Sequence, residues 1–502
     1  MNLLLPVLLA ATIAPPSSPS QTYRVLSQTY TIDKKYRSME GPASVQRIRL
    51  GDPAKPVELL WITGVRTEMM AEDGATPQLP ELMCHVNIDL DPTFHQALFD
   101  VKRPVSSRLI TLSQGMLSAR VPLGFGFPIA SNEPLLLFTQ VLNLNIEKPN
   151  NLKVRHRVTI DYVRDRDLIT PMKPLLNVGA SGMVPLDNNP IALTTSMTTS
   201  MNNPPAGLQH NGSSCLIGSR APNATASAAD YVDPQGRKMT GHWIVPPGHQ
   251  VNRSDVTWFM NLPFDTRMHY AAVHLHPFAQ ELILRDTTAN RDVFVAKATN
   301  PMSGIGLTRV DRFSSVEGLP LYKSHTYEIV SVYTNPMREN VDSMASIFLG
   351  LDDREFVRPT SAQLTRRAAV LFNTASLALR TQAGAVTVTL ARDQAPETSI
   401  QVARLFEGGA LNGARVKAVG PTIQIAIPLS VETQKLLQPL RVEAGLQHRA
   451  GTISYCLPQA GSHEIVLSVA RQDGADPQCT AFGRIDGIDA LALSPSISVA
   501  SR

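Results

Sequence analysis

Two histidines separated by one residue stand in the segment Met268–Asp286, MHYAAVHLHPFAQELILRD. In a strand, His274 and His276 emerge on the same face. Two imidazoles on one rigid face make a partial site for copper or zinc. His269, five residues earlier, falls on the opposite face of a regular strand. A lone His-x-His also has a plainer reading, a pair of half-buried surface histidines. The cysteines carry less. Cys84, Cys215, Cys456 and Cys479 show no Cys-x-x-Cys spacing, which argues against zinc ribbons and thioredoxin-like redox sites. Four cysteines allow three disulfide pairings, and Cys456 and Cys479, 23 residues apart, are the favoured local pair. Two buried thiols are the other reading. Met197, Met201 and Met239 are soft donors scattered through a loop-like region, where chance exposure explains them.

The elements that must hold these residues are mostly strands. At 502 residues the chain is too long for one core, and two or three domains are expected. Hydrophobic residues make up 43% and charged residues 18%, so the chain is globular rather than disordered. Its 38 prolines and 30 glycines suit strands and loops, not a helical bundle. A formal charge of +4 without a basic cluster excludes a phosphate-binding footprint, so no nucleic-acid partner is expected. Residues 22–170 read as a first strand-rich domain. Residues 171–236, rich in Ser, Thr, Asn and Pro, read as an irregular linker. Residues 237–355 read as strands again, and a break near Asp352–Thr360 precedes a third domain, 365–502. That last region carries two short helical candidates, one after Pro396 and ended by Gly408-Gly409, the other from Ser430.

Leu3–Ala14 is an apolar run of signal-peptide length, followed by small and turn-forming residues. Residues 1–20 are therefore expected to be a signal peptide of a secreted or periplasmic protein. No later stretch is apolar enough for a stable membrane span. The tripeptides at Asn211, Asn223 and Asn252 match glycosylation acceptors and carry weight only in a host that glycosylates.

The Pro246-Pro247-Gly248 turn, the His274/His276 pair and the downstream Met344 together resemble the C-terminal half of the copper type II, ascorbate-dependent monooxygenases, the peptidylglycine α-hydroxylating family. The resemblance covers residues 240–351 well and 45–170 more weakly. It implies two β-sandwich, jelly-roll-like domains and a copper held by His274, His276 and Met344. A thioether beside two imidazoles suits Cu(I). In the weaker half, ELMCHVNIDLD resembles the strand holding the second copper. Cys84 stands where its first histidine is expected, and His85 occupies the second position. Leu142 stands at the place of the third. The resemblance thus implies a weaker second site of His85 and Cys84, with His95 or Met83 as helpers.

Gly384–Gly413, His448–Tyr455 and Phe482–Leu491 resemble, in order, the opening, central and closing segments of a cyclophilin. The implied fold is a closed eight-stranded barrel with two short helices, and the implied activity is peptidyl-prolyl isomerisation. Gln424 matches the family's glutamine, but Ala418 occupies the position of its arginine. Arg415, three residues earlier, is expected on the other face. The whole chain is thus expected to be mainly β, an exported copper-binding protein with a cyclophilin-like domain of weak or absent isomerase activity. The alternatives are a periplasmic prolyl isomerase acting on proline-containing clients, or a non-catalytic envelope scaffold. Whether it is an enzyme stays open; isomerase or copper monooxygenase are the candidates.

Overall fold

The computed structural model describes residues 20–36, 41–52, 55–192 and 231–499, apart from short gaps at 374, 393, 438–439, 441–442, 444, 458–461 and 475–478. The proposed signal peptide, Cys215, Met197, Met201, Asn211 and Asn223 lie outside the described residues, save for Ser20.

The protein is mainly β. A ten-stranded sheet runs through the first two regions of the chain. One part is contributed by Gln21–Leu26, Leu152–Arg164, Leu59–Ala71 and Phe125–Ala130, with Tyr30–Ile32 and Ser118–Arg120 paired alongside, the other by Lys173–Ser181, Ala345–Asp352, Thr266–Leu275 and Phe313–Leu321. The two parts are joined by a short parallel contact, Lys173 with Phe125 and Pro174 with Gly126. A four-stranded sheet holds Ala43–Ile48, Leu135–Val141, Met83–Leu90 and Arg108–Ser113. A five-stranded sheet holds Gly248–Asp255, Tyr327–Asn335, Ala279–Asp286, Arg291–Thr299 and Arg309–Val310. One apolar cluster, with Ile62, Ile88, Leu112, Ile160, Val273 and Leu349 among its members, draws buried residues from all three sheets.

The stretch expected to be an irregular linker begins differently. Lys173–Ser181 is a strand of the large sheet, antiparallel to Ala345–Asp352, and buries Leu175, Leu176, Val178 and Ala180. Leu175–Ser181 are buried without a break, as in a strand covered on both faces, which composition averaged over 171–236 concealed.

The third region closes into a barrel: Ser376–Thr381, Gly384–Leu390, Thr480–Asp486, Thr452–Cys456, Glu464–Ala470, Thr422–Pro428, Ala414–Val419 and Ser496–Val499, which pairs back to the first strand. Ile423, Ile425 and Ile427 alternate into its filled interior. Both helical expectations hold. Pro396–Glu407 has Pro396 at its first turn and Gly408 as its cap. The Glu443 carboxylate accepts from Glu397 N (3.1 Å) and Thr398 N (2.7 Å), supplying the N-cap that Ala395 cannot. Val431–Leu436 is capped by Ser430 Oγ. A third short helix, Ile488–Ala492, was not anticipated. Cys456 and Cys479 form the favoured disulfide, with Cα atoms 4.5 Å apart.

Directly after the expected break lies another unanticipated helix, Ser361–Asn373. Thr360 and Gln363 form a reciprocal capping box at its start, Thr360 N donating to Gln363 Oε1 (2.8 Å) and Gln363 N to Thr360 Oγ1 (3.2 Å). Leu364, Ala368 and Leu371 pack in a cluster with Trp61, Leu98 and Ile400, so this helix fastens the barrel to the first region.

Candidate metal site at the junction of the sheets

Arg108–Ser113, the edge of the four-stranded sheet, lies across Lys173–Ser181, Thr266–Leu275 and Ala345–Asp352 of the large sheet. Asn177 Nδ2 ties the two layers by donating to Ser106 O (2.7 Å) and Arg108 O (2.8 Å). This junction brings His85, His274 and His276 together, with Cys84 beside His85.

His274 and His276 are both buried, with ring centroids 5.3 Å apart and planes nearly perpendicular. Neither nitrogen of His274 has a hydrogen-bond partner. Burial, then the proximity of His276, His85, Arg108 and His242, holds its pKa well below the ordinary value. The ring is therefore neutral, the state in which imidazole binds metals. His276 differs. Burial opposes its charge, but Asp342 Oδ2, 2.9 Å from Nδ1, overrides this and raises its pKa. The contact has the distance of an ion pair without hydrogen-bond alignment. Burial likewise pushes the Asp342 carboxyl up, and His276 more than compensates, so its pKa lies below the usual value.

The end of the His-x-His strand is fixed by a turn. Pro277 removes the next ladder donor. Phe278 adopts a left-handed conformation (φ 70°) that a bulky side chain rarely takes. Asn300 clamps it, accepting from Phe278 N (2.7 Å) and donating to Ala279 O (2.8 Å).

The expected second site is not separate. His85 and His274 approach to a centroid distance of 6.0 Å, so the two half-sites merge into one cluster. His85 stacks on Phe138 (5.2 Å), and its Nδ1 lies 3.2 Å from Cys84 Sγ. His242, whose ring lies 6.3 Å from that of His276, joins the cluster. The proposed helpers do not. His95 pairs with Glu133 (3.0 Å), Met83 packs into the apolar core, and Leu142 is buried without a donor to offer. His269 sits at a bulge in its strand, stacks on Phe125 (4.2 Å) and faces Ser315 O (3.0 Å).

Met344 is fully buried, and its side chain packs in an apolar cluster with Met183, Tyr231 and Met239. Its backbone stays close to the histidines. Leu275 pairs with Ala345, and beyond that rung Tyr333 Oη donates to Met344 O (2.5 Å) and lies 3.4 Å from His276 N. Among the described residues, no group of three or more His, Cys, Asp and Glu side chains is arranged to hold a metal as it stands. The ring separations nonetheless fit a shared ion. Two imidazoles bound at about 2.0 Å to one metal hold their centroids roughly 5–6 Å apart.

Sequence reasoning missed His242, Asp342 and Asn300. Asp342 enters because Val341–Ser343 pairs with Trp243–Val245, a long-range register with no local signature.

In the barrel, Lys417 pairs with Gln424 and Arg415 with Ala426, while Ala418 pairs with Ile423. Arg415 therefore shares the face of Gln424, and Ala418 belongs to the alternate set with the interior isoleucines. Arg415 thus stands on the other face from Ala418, as its odd offset of three residues predicts, and it is Ala418 that parts from the face of Gln424. Arg415 is ion-paired with Glu464.

No protein-family model and no curated protein matches the chain. Solved structures that match include PNGF-II (TM-score 0.26, 7% identity, 68% of this chain and 66% of that one). A peptide-N(4)-(N-acetyl-β-D-glucosaminyl) asparagine amidase matches at TM-score 0.27 and 8% identity, over 68% of this chain and 99% of that one. The major capsid protein P2 of bacteriophage PM2 matches at 0.23 and 7%, over 67% and 100%. Likenesses this weak carry no argument.

Proposed function

We propose that this chain is an exported copper-binding protein, with a monooxygenase-like core of two β-sandwiches and a single metal site at their junction. The observation that carries the reading is His274, buried, neutral and without a partner for either nitrogen, between His85 and His276. A buried unpaired polar group is costly, and a metal ion is one way to satisfy it. His274 and His276 would hold the ion, with Met344 the third donor that the resemblance implies. Bound copper supplies a one-electron centre and a Lewis acid. The chain's own contribution is to keep His274 unprotonated, to orient His276 through Asp342 and to exclude water by burying both histidines. Two-copper hydroxylation calls for two separate centres, and the approach of His85 to His274 favours a one-copper protein instead.

Copper titration of the full chain, with bound metal counted by elemental analysis, tests this. One equivalent is expected, and His274→Ala and His276→Ala should lose it; Met344→Ala should weaken it. Unchanged stoichiometry in the histidine variants overturns the metal role.

A second reading has support from the barrel register. A prolyl isomerase acting on proline-containing peptides needs an arginine that donates to the twisted amide, and Arg415 is on the Gln424 face. Its pairing with Glu464 opposes that use. A proline-isomerisation assay of the full chain and of Arg415→Ala should show little or no rate above buffer in either. A rate lost in the variant would make the isomerase reading the stronger one.

A further inference from the structure

We propose that Cys84 is a ligand of this same site, so that the bound copper is held by a thiolate together with imidazoles. The inference rests on the copper reading above and adds the donor that sets the metal's chemistry.

Successive residues of a regular strand point to opposite faces. Cys84 and His85 should therefore diverge, yet Cys84 Sγ lies 3.2 Å from His85 Nδ1. The reason is a register shift in the pairing of Met83–Leu90 with Leu135–Val141: Met83 faces Val141 and His85 faces Gln140, leaving Cys84 as the extra residue. A β-bulge of this kind re-aims a side chain. Here it turns the thiol toward the imidazole of His85. Cys84 is buried and takes part in no disulfide.

The independent observation is His274. It is buried, both of its nitrogens lack partners, and its ring stands edge-on between His85 and His276. Thus Cys84 and His85 approach from one sheet, His274 and His276 from the other. These four side chains are the donors proposed for one ion. A set of imidazoles and a thiolate selects copper or zinc over hard cations. On loading, the Cys84 S–H bond breaks, a metal–sulfur bond forms and the proton leaves to solvent. The metal keeps its oxidation state in this step.

The test is titration of the full chain with Cu(II), followed by visible absorption and elemental analysis. The native protein should develop an intense sulfur-to-copper charge-transfer band that saturates at one equivalent. Cys84→Ser and Cys84→Ala should abolish the band while the histidines still hold the metal, with affinity weakened at least about tenfold. Co(II), which does not oxidise thiols, serves as a second probe, and its thiolate band should vanish in the same variants. Copper bound without a thiolate band for either metal overturns the role of Cys84 and leaves the histidine site standing. No bound copper overturns both.

Discussion

Lowering the pH from 7.5 to 5.0 should destabilise the core through His156, and the size of the effect follows from its surroundings. This ring is fully buried in Leu152–Arg164, edge-on to Tyr30, with Nε2 3.2 Å from Gln140 O and no partner for Nδ1. Burial chiefly, offset in part by that hydrogen bond, lowers its pKa from 6.5 to about 3. The folded value lies below the unfolded one, so the unfolded chain takes up the proton first. Stability is therefore complete above the unfolded value and lost as the pH falls below it. At pH 5.0 the unfolded histidine is almost wholly charged while the folded one is still neutral. The loss contributed by this ring is about 2 kcal/mol. His274, shifted in the same direction, adds to the native decline. Urea denaturation at the two pH values, followed by the fluorescence of the buried Trp61 and Trp243, reads the effect. His156→Gln keeps a donor for Gln140 O and cannot titrate, so its decline should be smaller by about 2 kcal/mol. Equal declines in both proteins would refute the reasoning.

Replacing Cys456 and Cys479 by serine opens a loop of 23 residues and should cost the barrel about 3 kcal/mol, read by thermal or denaturant unfolding. Asn300→Ala removes both clamps on the Phe278 turn; it should cost about 1–3 kcal/mol and weaken copper binding by displacing His276. Gly318→Ala should be more destabilising than Gly236→Ala in the same assay. Both have positive φ, but the added Cβ would lie 2.8 Å from the His269 ring at Gly318 and meets nothing within 4 Å at Gly236. The expected cost at Gly318 is about 1–3 kcal/mol.

The legible part of this molecule is local. Pro396 with Gly408 delimits a helix, Ser430 caps another, and spacing alone favoured the Cys456–Cys479 bridge. His274 and His276 share a strand and were visible together. What joins them is not local. His85 comes from a different sheet, Asp342 depends on a pairing about a hundred residues away in sequence, and Cys84 faces the site only because of a bulge that no residue announces. The capping box at Thr360 and Gln363 was readable, yet the surrounding prolines and charges drew attention to a break.

The large sheet also constrains how the protein comes into being. Lys173–Ser181 has its antiparallel partner in Ala345–Asp352, and Thr266–Leu275 pairs with that same late strand. Lys173–Ser181 cannot complete its pairing until residues near 350 have emerged, whereas Thr266–Leu275 also has the earlier Phe313–Leu321 as a partner. A chain made from its N-terminus would thus carry an apolar strand paired only at Lys173 and Pro174 through much of its synthesis. Pairings this distant slow folding and expose strand edges to other chains. If the chain is exported unfolded, that delay is useful, because the core cannot close before the last of its strands has arrived.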